Sequence, residues 1–291
     1  TPDLILLDIM MPEMDGFEFM NILQANENWK NIPVIFLTAD SSCATEAKCL
    51  ECGASDFVIK PFVPIILSSR IRHALVVAEY NKSLKHKVEN QKRRITAMQS
   101  DILTSLANLI ESRDGTTGGH VKRTKIYVNY LVSKLQCLGI YSNFITEHFS
   151  NLIIAAAPLH DIGKINVPDI ILSKPGKFTP EEFEIMKKHA AEGGRLIKEN
   201  MGNLAEQDFV EMAYNLATYH HERWNGGGYP HGLKNFEIPL AARIMAVADV
   251  YDALTSKRSY KEIFPFEEAV QIIREGKEDC FPSGYGYTDY P

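Results

Sequence analysis

The first part of the chain alternates between short apolar runs and amphipathic segments. The apolar runs are LILLDIM at 4–10, PVIFLT at 33–38 and DFVIK at 56–60, each bounded by turn residues. Such short, bounded runs are typical of buried strands. Helical patterns at 17–26 and 43–52 separate them. This alternation predicts an α/β unit built on a parallel sheet.

The pattern becomes helical at about residue 64 and remains so to about residue 112. Within it, apolar positions step by four and three with two polar interruptions, which is the heptad spacing of a coiled coil. These positions are Leu84, Val88, Gln91, Ile95, Met98, Ile102, Ser105 and Leu109. The spacing fits the stalk of a parallel homodimer, and it also fits a helix that packs along its own domain.

The rest of the chain carries helical and loop patterns without a convincing strand, so an all-α domain is predicted. Its last residues, KEDCFPSGYGYTDYP, are polar and aperiodic, and we expect them to be irregular. The predicted parts are the α/β unit at 1–63, a helical linker at 64–99, the all-α domain at 100–276 and an irregular tail at 277–291.

Composition excludes several classes of protein. The chain has 291 residues, is 45% hydrophobic and 23% charged, and carries a net charge of -6, which argues against nucleic-acid binding as its main role. No apolar run approaches the roughly 18 residues of a membrane span, and the acidic start does not resemble a secretory signal. Five cysteines without a framework spacing fit a reducing compartment. A cytoplasmic protein is predicted, in which any phosphate-bearing ligand is held locally.

Three polar residues lie at or near the carboxyl ends of the predicted strands. Asp8 lies in LLDIMMPEMDG, Thr38 in FLTAD and Lys60 in GASDFVIKPF. A carboxylate at the carboxyl edge of a parallel sheet faces the ligand crevice, where a lysine and a hydroxyl can stabilise a new phosphate group. In order and context the three residues resemble those of response-regulator receiver domains, which have a flavodoxin-like fold.

This resemblance implies that a sensor histidine kinase phosphorylates Asp8 and that Thr38 and Lys60 are the switch residues. Receivers of this family begin with a further strand, helix and strand, and an acidic pair near the first strand holds Mg²⁺. None of these precedes Thr1. We therefore expect an amino-terminally truncated receiver, in which Mg²⁺ binding and phosphorylation require the intact domain.

The second domain is rich in residues that can bind metals. In order they are His120, His160, Asp161, His189, His220, His221 and Asp249. Imidazoles and carboxylates suit iron, manganese, nickel and zinc. In an adjacent His-Asp pair the carboxylate can bridge two ions, and Lys164, three residues after Asp161, is predicted to lie on the same helical face. Two metals beside a cation suit phosphoryl chemistry.

Each residue taken alone has a simpler interpretation. A His-Asp pair often forms only a local hydrogen bond, and His189 could be a cation at a helix end. Asp249 lies in an apolar helical stripe and needs a partner whatever the function. The glycines at 226–228 could form only a turn, and His120 could cap or support a neighbouring helix. The combination of all these residues favours a metal site.

That combination resembles the HD-GYP family, a branch of the all-α HD superfamily of metal-dependent phosphohydrolases. The matching blocks are RDGTTGGHVKR, LHDIGK, KKHAAEGG, HHERWNGGGYP and ARIMAVADVYDALTSKRSYK. The family hydrolyses cyclic di-GMP to pGpG or GMP, commonly with iron or manganese. By resemblance the metal ligands are His160, Asp161, His189, His220, His221 and Asp249, and the catalytic residues are Asp161 and Lys164. Gly228 and Tyr229 lie beside the substrate, and Arg258 and Lys261 bind its phosphates.

Departures from the family pattern bear on the metals. Asn225 and Ser259 replace a common aspartate and proline, neither of which is a ligand. Some members bind a third ion through a glutamate where this chain has Thr116, so we expect about two ions and leave the role of His120 open. Two other functions stay possible at this point: hydrolysis of another nucleotide or cyclic dinucleotide, and a non-catalytic adaptor that binds cyclic nucleotide or a partner protein.

Overall fold

The computed structural model describes residues 1–113, 119–202, 206–256 and 264–275. The chain forms two compact units, the first at Thr1–Thr96 and the second beginning at Ala97. No described helix is long and apolar enough to cross a membrane. Arg258, Ser259, Lys261, Thr116 and the tail at 277–291, about which the sequence makes predictions, lie outside the described residues.

The first unit is built on the predicted parallel sheet. Its strands, in the order β1-β2-β3, are β1 (Ile5–Asp8), β2 (Val34–Thr38) and β3 (Asp56–Ile59). Its connecting helices are α1 (Gly16–Ala25) and α2 (Cys43–Glu51). Asp8 pairs in register with Leu37, and Thr38 with Ile59, so the carboxyl ends of all three strands meet at one edge. The predicted α/β architecture is confirmed.

Helix α3 (Pro64–Glu111) is one continuous helix that runs past the predicted boundary at residue 99. The apolar members of its heptad positions are 46–65% exposed; they are Leu84, Val88, Ile95, Met98, Ile102 and Leu109. A helix packed along its own domain would bury this face. The observed exposure therefore leaves an apolar stripe on α3 without a covering element among the described residues.

The second unit is helical throughout its described part. Its helices are α4 (His120–Cys137), α5 (Glu147–Ala156), α6 (Asp169–Leu172), α7 (Pro180–Met201), α8 (Gln207–Tyr219), α9 (Leu240–Thr255) and α10 (Phe266–Glu275). Val128 of α4, Ile153 of α5, Leu216 of α8 and Met245 of α9 are fully buried in one core. No strand occurs in the described residues of this unit, which confirms the all-α prediction for them.

The LHDIGK segment differs from the sequence prediction. We expected His160, Asp161 and Lys164 on one α-helical face, but the segment lies across two short 3₁₀ helices, Ala157–Leu159 and Ile162–Asn166. Gly163 explains this path, since a Cβ there would lie 1.9 Å from the carbonyl oxygen of His189. The chain therefore passes directly against α7, and no residue larger than glycine fits at position 163.

Candidate metal centre

Backbone carbonyls fix the orientation of three buried histidines. The Nδ1 atoms lie 2.8 Å from the Ala157 oxygen for His160, 2.7 Å from the Met186 oxygen for His189 and 2.8 Å from the Leu216 oxygen for His220. A carbonyl only accepts hydrogen bonds, so each Nδ1 donates, and in the neutral imidazole each Nε2 then keeps a lone pair. This is the arrangement of metal-binding histidines, in which a partner on one nitrogen orients the other.

The first cluster of potential ligands is here called the His189 group. It comprises Asp161, His189, His220 and His221, whose ligand atoms lie within 4.8 Å of one another. Asp161 Oδ1 lies 3.3 Å from His189 Nε2 and 3.6 Å from His220 Nε2. Three imidazoles and a carboxylate form a donor set suited to a divalent transition metal.

A second cluster, the His120 group, comprises His120, His160 and Asp249. His120 Nε2 lies 3.3 Å from His160 Nε2 and 3.5 Å from Asp249 Oδ1. The sequence left the role of His120 open, and the structure brings its ring nitrogen to the same point as two predicted ligands. His120 is therefore a candidate ligand in its own right.

Asp161 faces both groups. Its Oδ1 atom points to the His189 group, whereas its Oδ2 atom lies 3.4 Å from His160 Nε2 and 2.9 Å from Lys164 Nζ. A 3₁₀ helix has three residues per turn, so side chains three apart stack directly, which brings Lys164 to Asp161. The geometry is that of a carboxylate able to bridge two ions, with an ammonium group beside it.

The buried polar atoms fit the binding of metal ions. Among the described residues, Asp161 Oδ1, His189 Nε2 and His220 Nε2 are buried and have no hydrogen-bond partner. A buried polar atom without a partner costs about 1–3 kcal/mol, and here three such atoms converge. An ion at their common focus would satisfy all three at once.

Burial and charge set the protonation of these groups. Burial acts to raise the pKa of Asp161, but Lys164 and His160 outweigh it and hold this pKa well below its usual range. Burial lowers the pKa of His189 to about 4 and that of His221 well below its usual value. The carboxylate is therefore anionic and both imidazoles are neutral near pH 7, as metal ligation requires.

The loop after α8 folds back on itself beside the metal centre. Glu222, a buried residue that the sequence reasoning missed, accepts hydrogen bonds from His231 N at 2.7 Å and Leu233 N at 3.0 Å. A Cβ on Gly228 would lie 2.5 Å from Glu222 Cα, so only glycine fits there. The ring of Tyr229 lies 4.8 Å, between centroids, from that of His221. The predicted substrate loop thus borders the His189 group.

Two further residues that the sequence reasoning missed form a chain of contacts to His120: Asp252 contacts its ring, and Arg123 contacts Asp252. Asp252 Oδ2 lies 2.8 Å from His120 Nδ1, and Arg123 Nε lies 2.6 Å from Asp252 Oδ1. The spacing in the sequence could have indicated both residues. Arg123 lies three residues after His120, and Asp252 lies three residues after Asp249. Residues three apart in a helix share a face.

The receiver residues form a separate site at the edge of the sheet. The Asp8 carboxylate pairs with the Lys60 ammonium, and the hydrogen bond from Lys60 is the main reason that the pKa of Asp8 is lowered. Thr38 follows on the neighbouring strand end, where its Oγ1 accepts from Asp40 N at 3.0 Å. The two charged side chains are about one third exposed, 36% for Asp8 and 37% for Lys60.

Comparison with known families agrees with this geometry. The response regulator receiver domain matches residues 1–72, and the HD domain matches residues 104–281, which is more than half of the chain. The chain is a response regulator of the HD domain family. HD domains are metal-dependent hydrolases, and this family membership implies divalent metal binding.

The response regulator is similar to several curated proteins. It is 42% identical over 288 residues to "Probable cyclic di-GMP phosphodiesterase" of Vibrio cholerae, covering 96% of this chain and 65% of that protein. It is 37% identical over 278 residues to "Cyclic di-GMP phosphodiesterase response regulator RpfG" of Xanthomonas campestris, covering 93% and 70%. It is also 36% identical over 202 residues to "3'3'-cGAMP-specific phosphodiesterase 2" of Vibrio cholerae, covering 69% and 36%. The chain thus spans between about a third and 70% of these relatives.

Proposed function

We propose that this response regulator hydrolyses cyclic di-GMP, to pGpG or on to GMP, at a centre of two divalent metals. One observation carries the proposal: the two oxygens of Asp161 face two separate ligand groups, with Lys164 at one of them. Two metals a few ångströms apart, clamping the attacking and leaving oxygens, are typical of phosphoester hydrolysis. The names of the similar proteins support this choice of substrate.

The proposed ligands are His160, Asp161, His189, His220, His221 and Asp249, with His120 added on the geometry. Iron or manganese suits this set of imidazoles and carboxylates. Such ions, when bound, would supply a nucleophile from water at neutral pH and neutralise phosphate charge. Asp161 stays anionic between the two groups, and the Lys164 ammonium, beside its Oδ2, can also donate to a phosphate oxygen.

Substrate contacts are proposed on the side of the His189 group. Gly228 permits the tight loop that holds Tyr229 next to His221, so a phosphodiester at the centre would meet this ring. Arg258 and Lys261 remain the proposed phosphate contacts. They are three residues apart, and an arginine binds two phosphate oxygens at once.

The receiver is proposed to control the hydrolase. A sensor histidine kinase would phosphorylate Asp8 of the receiver, with Mg²⁺ present, and Lys60 and Thr38 would respond to the phosphate. The pairing of Asp8 with Lys60 supports this, since an ammonium already beside the carboxylate can neutralise added charge. We propose a cytoplasmic location, where such a kinase and a nucleotide messenger would meet.

A homodimer through α3 is also proposed. Its exposed apolar positions recur at heptad spacing from Leu84 to Leu109, and a second α3 in parallel would cover them. Replacing Ile95 and Ile102 by aspartate should convert a dimer to a monomer in sedimentation velocity. The same double replacement at Lys87 and Glu89, off the stripe, is the matched control and should leave the dimer intact. Equal sedimentation of the stripe variant and the wild type would refute this role of α3.

The experiment that tests the function is product analysis. Protein loaded with Mn²⁺ or Fe²⁺ is incubated with cyclic di-GMP, and the products are separated by chromatography. We expect pGpG or GMP, and none after chelation of the metals. Tight binding of cyclic di-GMP by the metal-loaded protein without any product would instead indicate an adaptor.

A second substrate has a specific observation in its favour, the similarity to the 3'3'-cGAMP-specific phosphodiesterase. The same assay with 3'3'-cGAMP decides between them. We expect kcat/KM for cyclic di-GMP to exceed that for 3'3'-cGAMP by at least tenfold, a difference of about 1.4 kcal/mol in transition-state binding. The reverse ratio would reassign the substrate and leave the two-metal centre unaffected.

A further inference from the structure

The His120 side chain lies at the end of a chain of polar contacts centred on the buried Asp252 carboxylate. Arg123 donates to Asp252 through Nε at 2.6 Å and through Nη2 at 3.0 Å, and Ser256 Oγ donates to the same carboxylate at 3.1 Å. His120 Nδ1 lies 2.8 Å from the Asp252 Oδ2 atom. The Asp252 side chain is only 1% exposed, so all of its partners are protein groups at fixed positions.

These contacts determine which nitrogen of His120 carries the proton. Arg123 donates two hydrogen bonds to the buried Asp252 carboxylate, and a carboxylate paired with a guanidinium is anionic. An anionic carboxylate only accepts, so His120 Nδ1 donates to it. His120 Nε2 is thereby left with a lone pair, 3.5 Å from Asp249 Oδ1.

The backbone of His120 is held as well. Helix α4 begins after Gly119, which has no side chain to cap it. The buried Glu111 caps the helix instead, because its carboxylate accepts from His120 N at 3.1 Å and from Val121 N at 3.3 Å. The main chain of His120 is therefore held by the Glu111 carboxylate and its imidazole by the Asp252 carboxylate.

We propose that Asp252, clamped by Arg123, is the positioning residue that makes His120 a metal ligand and so completes the His120 group. Each of the two helices then supplies one ligand and one positioning residue, three apart on one face: His120 with Arg123 on α4, and Asp249 with Asp252 on α9. Asp252 acts through His120 and belongs to neither ligand group. The inference rests on the two-metal centre of the proposed function and does not depend on the substrate.

The test is metal binding by Asp252→Ala. We expect the purified variant to keep the ion of the His189 group, and the dissociation constant of the other ion, measured by Mn²⁺ titration, to rise at least tenfold and up to about 100-fold, as for other partners of ligating histidines. Asp252→Asn, which keeps the shape of the side chain, should raise the dissociation constant of that ion less than Asp252→Ala does. Asp208→Ala is the matched control, because it removes another aspartate from a histidine, His148, at 2.9 Å on the surface. It should bind both ions normally.

A second measurement needs neither variant nor metal. In metal-free wild-type protein labelled with ¹⁵N-histidine, the long-range ¹H–¹⁵N spectrum should assign the proton of His120 to Nδ1. A proton on Nε2 would overturn the proposal, even if Asp252→Ala failed to fold. Tight binding of two ions by a folded Asp252→Ala variant would also overturn the proposal. An equal rise in the dissociation constants of both ions would do the same. Failure of the wild type to hydrolyse any cyclic dinucleotide would refute the proposed function alone, because neither readout here uses substrate.

Discussion

The receiver site and the metal centre use similar charged residues in opposite surroundings. Asp8 and Lys60 meet at the open edge of a sheet and remain about one third exposed. At the metal centre His160 and His189 are fully buried, and the Asp161 side chain is only 14% exposed. Water can solvate Asp8 or Lys60 even when the other residue of the pair is replaced. The second set is shielded from water, so each of its polar atoms needs a protein group or a bound ion as partner, and its members should tolerate replacement far less well.

The largest effect is expected at Asp161. Asp161→Ala removes the only described carboxylate that faces both ligand groups, and with it several kcal/mol of transition-state stabilisation. We expect turnover to fall at least about 1,000-fold and metal content to drop below two ions per chain. Elemental analysis and product chromatography measure both. Activity within tenfold of wild type would mean that the buried site tolerates change as the exposed one does.

In metal-free protein, the unfolding free energy of the HD domain should depend on pH between 5 and 7 more strongly than that of the receiver. His189 has a folded pKa of about 4 against an ordinary value of 6.5, and the pKa of His221 is lowered too. Between these values the unfolded chain binds protons that the folded chain does not, so stability falls as pH falls. His189 alone should cost about 2 kcal/mol at pH 5 relative to pH 7. The pKa of His160 is raised, which offsets part of this.

Urea unfolding at pH 7 and pH 5 measures this difference. The HD domain is followed by Trp224 fluorescence in Trp29→Phe, and the receiver by Trp29 in Trp224→Phe. The lowered pKa of Asp8 affects receiver stability only as pH falls below its ordinary value of 3.8, so the receiver should change little. His189→Gln should flatten the pH dependence of the HD domain. An HD domain as stable at pH 5 as at pH 7 would show that its histidines are not buried as described.

Substrate recognition should respond separately from the metals. Arg258→Ala and Lys261→Ala would each remove a charge-assisted phosphate contact of roughly 1.5–3 kcal/mol, so KM should rise at least about tenfold while metal content stays the same. Arg274→Ala, at an exposed position of α10, is the matched control and should keep the wild-type KM. An unchanged KM in the first two variants would place the phosphates elsewhere.

The smallest effect is expected at the exposed receiver pair. Asp8→Ala breaks its ion pair with Lys60, and exposed pairs contribute at most about 1 kcal/mol. We expect the unfolding free energy of the receiver, followed by Trp29 fluorescence, to change by less than this. If Asp8→Ala lowered the unfolding free energy of the receiver by more than about 2 kcal/mol, the exposed pair would be as sensitive to replacement as the buried residues.

The receiver site was predictable from sequence because its geometry follows from topology. Parallel strands end at the same edge, so residues at the carboxyl ends of β1, β2 and β3 had to approach one another, and Asp8 and Lys60 do. Side-chain chemistry then added only a hydroxyl and a charge pair. No long-range packing detail was needed.

For the candidate metal centre, the sequence indicated which side chains come together but not their geometry. The expected α-helix at LHDIGK was wrong, because the close approach of Gly163 to α7 depends on packing that a short motif does not reveal. Asp252 and Arg123 were missed because the sequence pattern of one helix does not reveal which of its faces packs against another helix. The role of His120 could not be decided for the same reason, since it depends on how α4 meets α9.

The most direct test of the two-metal centre is activity as a function of metal loaded. Metal-free protein is given zero, one, two and three equivalents of Mn²⁺, and the initial rate of cyclic di-GMP hydrolysis is measured at each. A two-metal centre should show little activity at one equivalent, a steep rise with the second and no further rise with the third. Full activity at one equivalent, or none at two in protein shown to hold both ions, would contradict it.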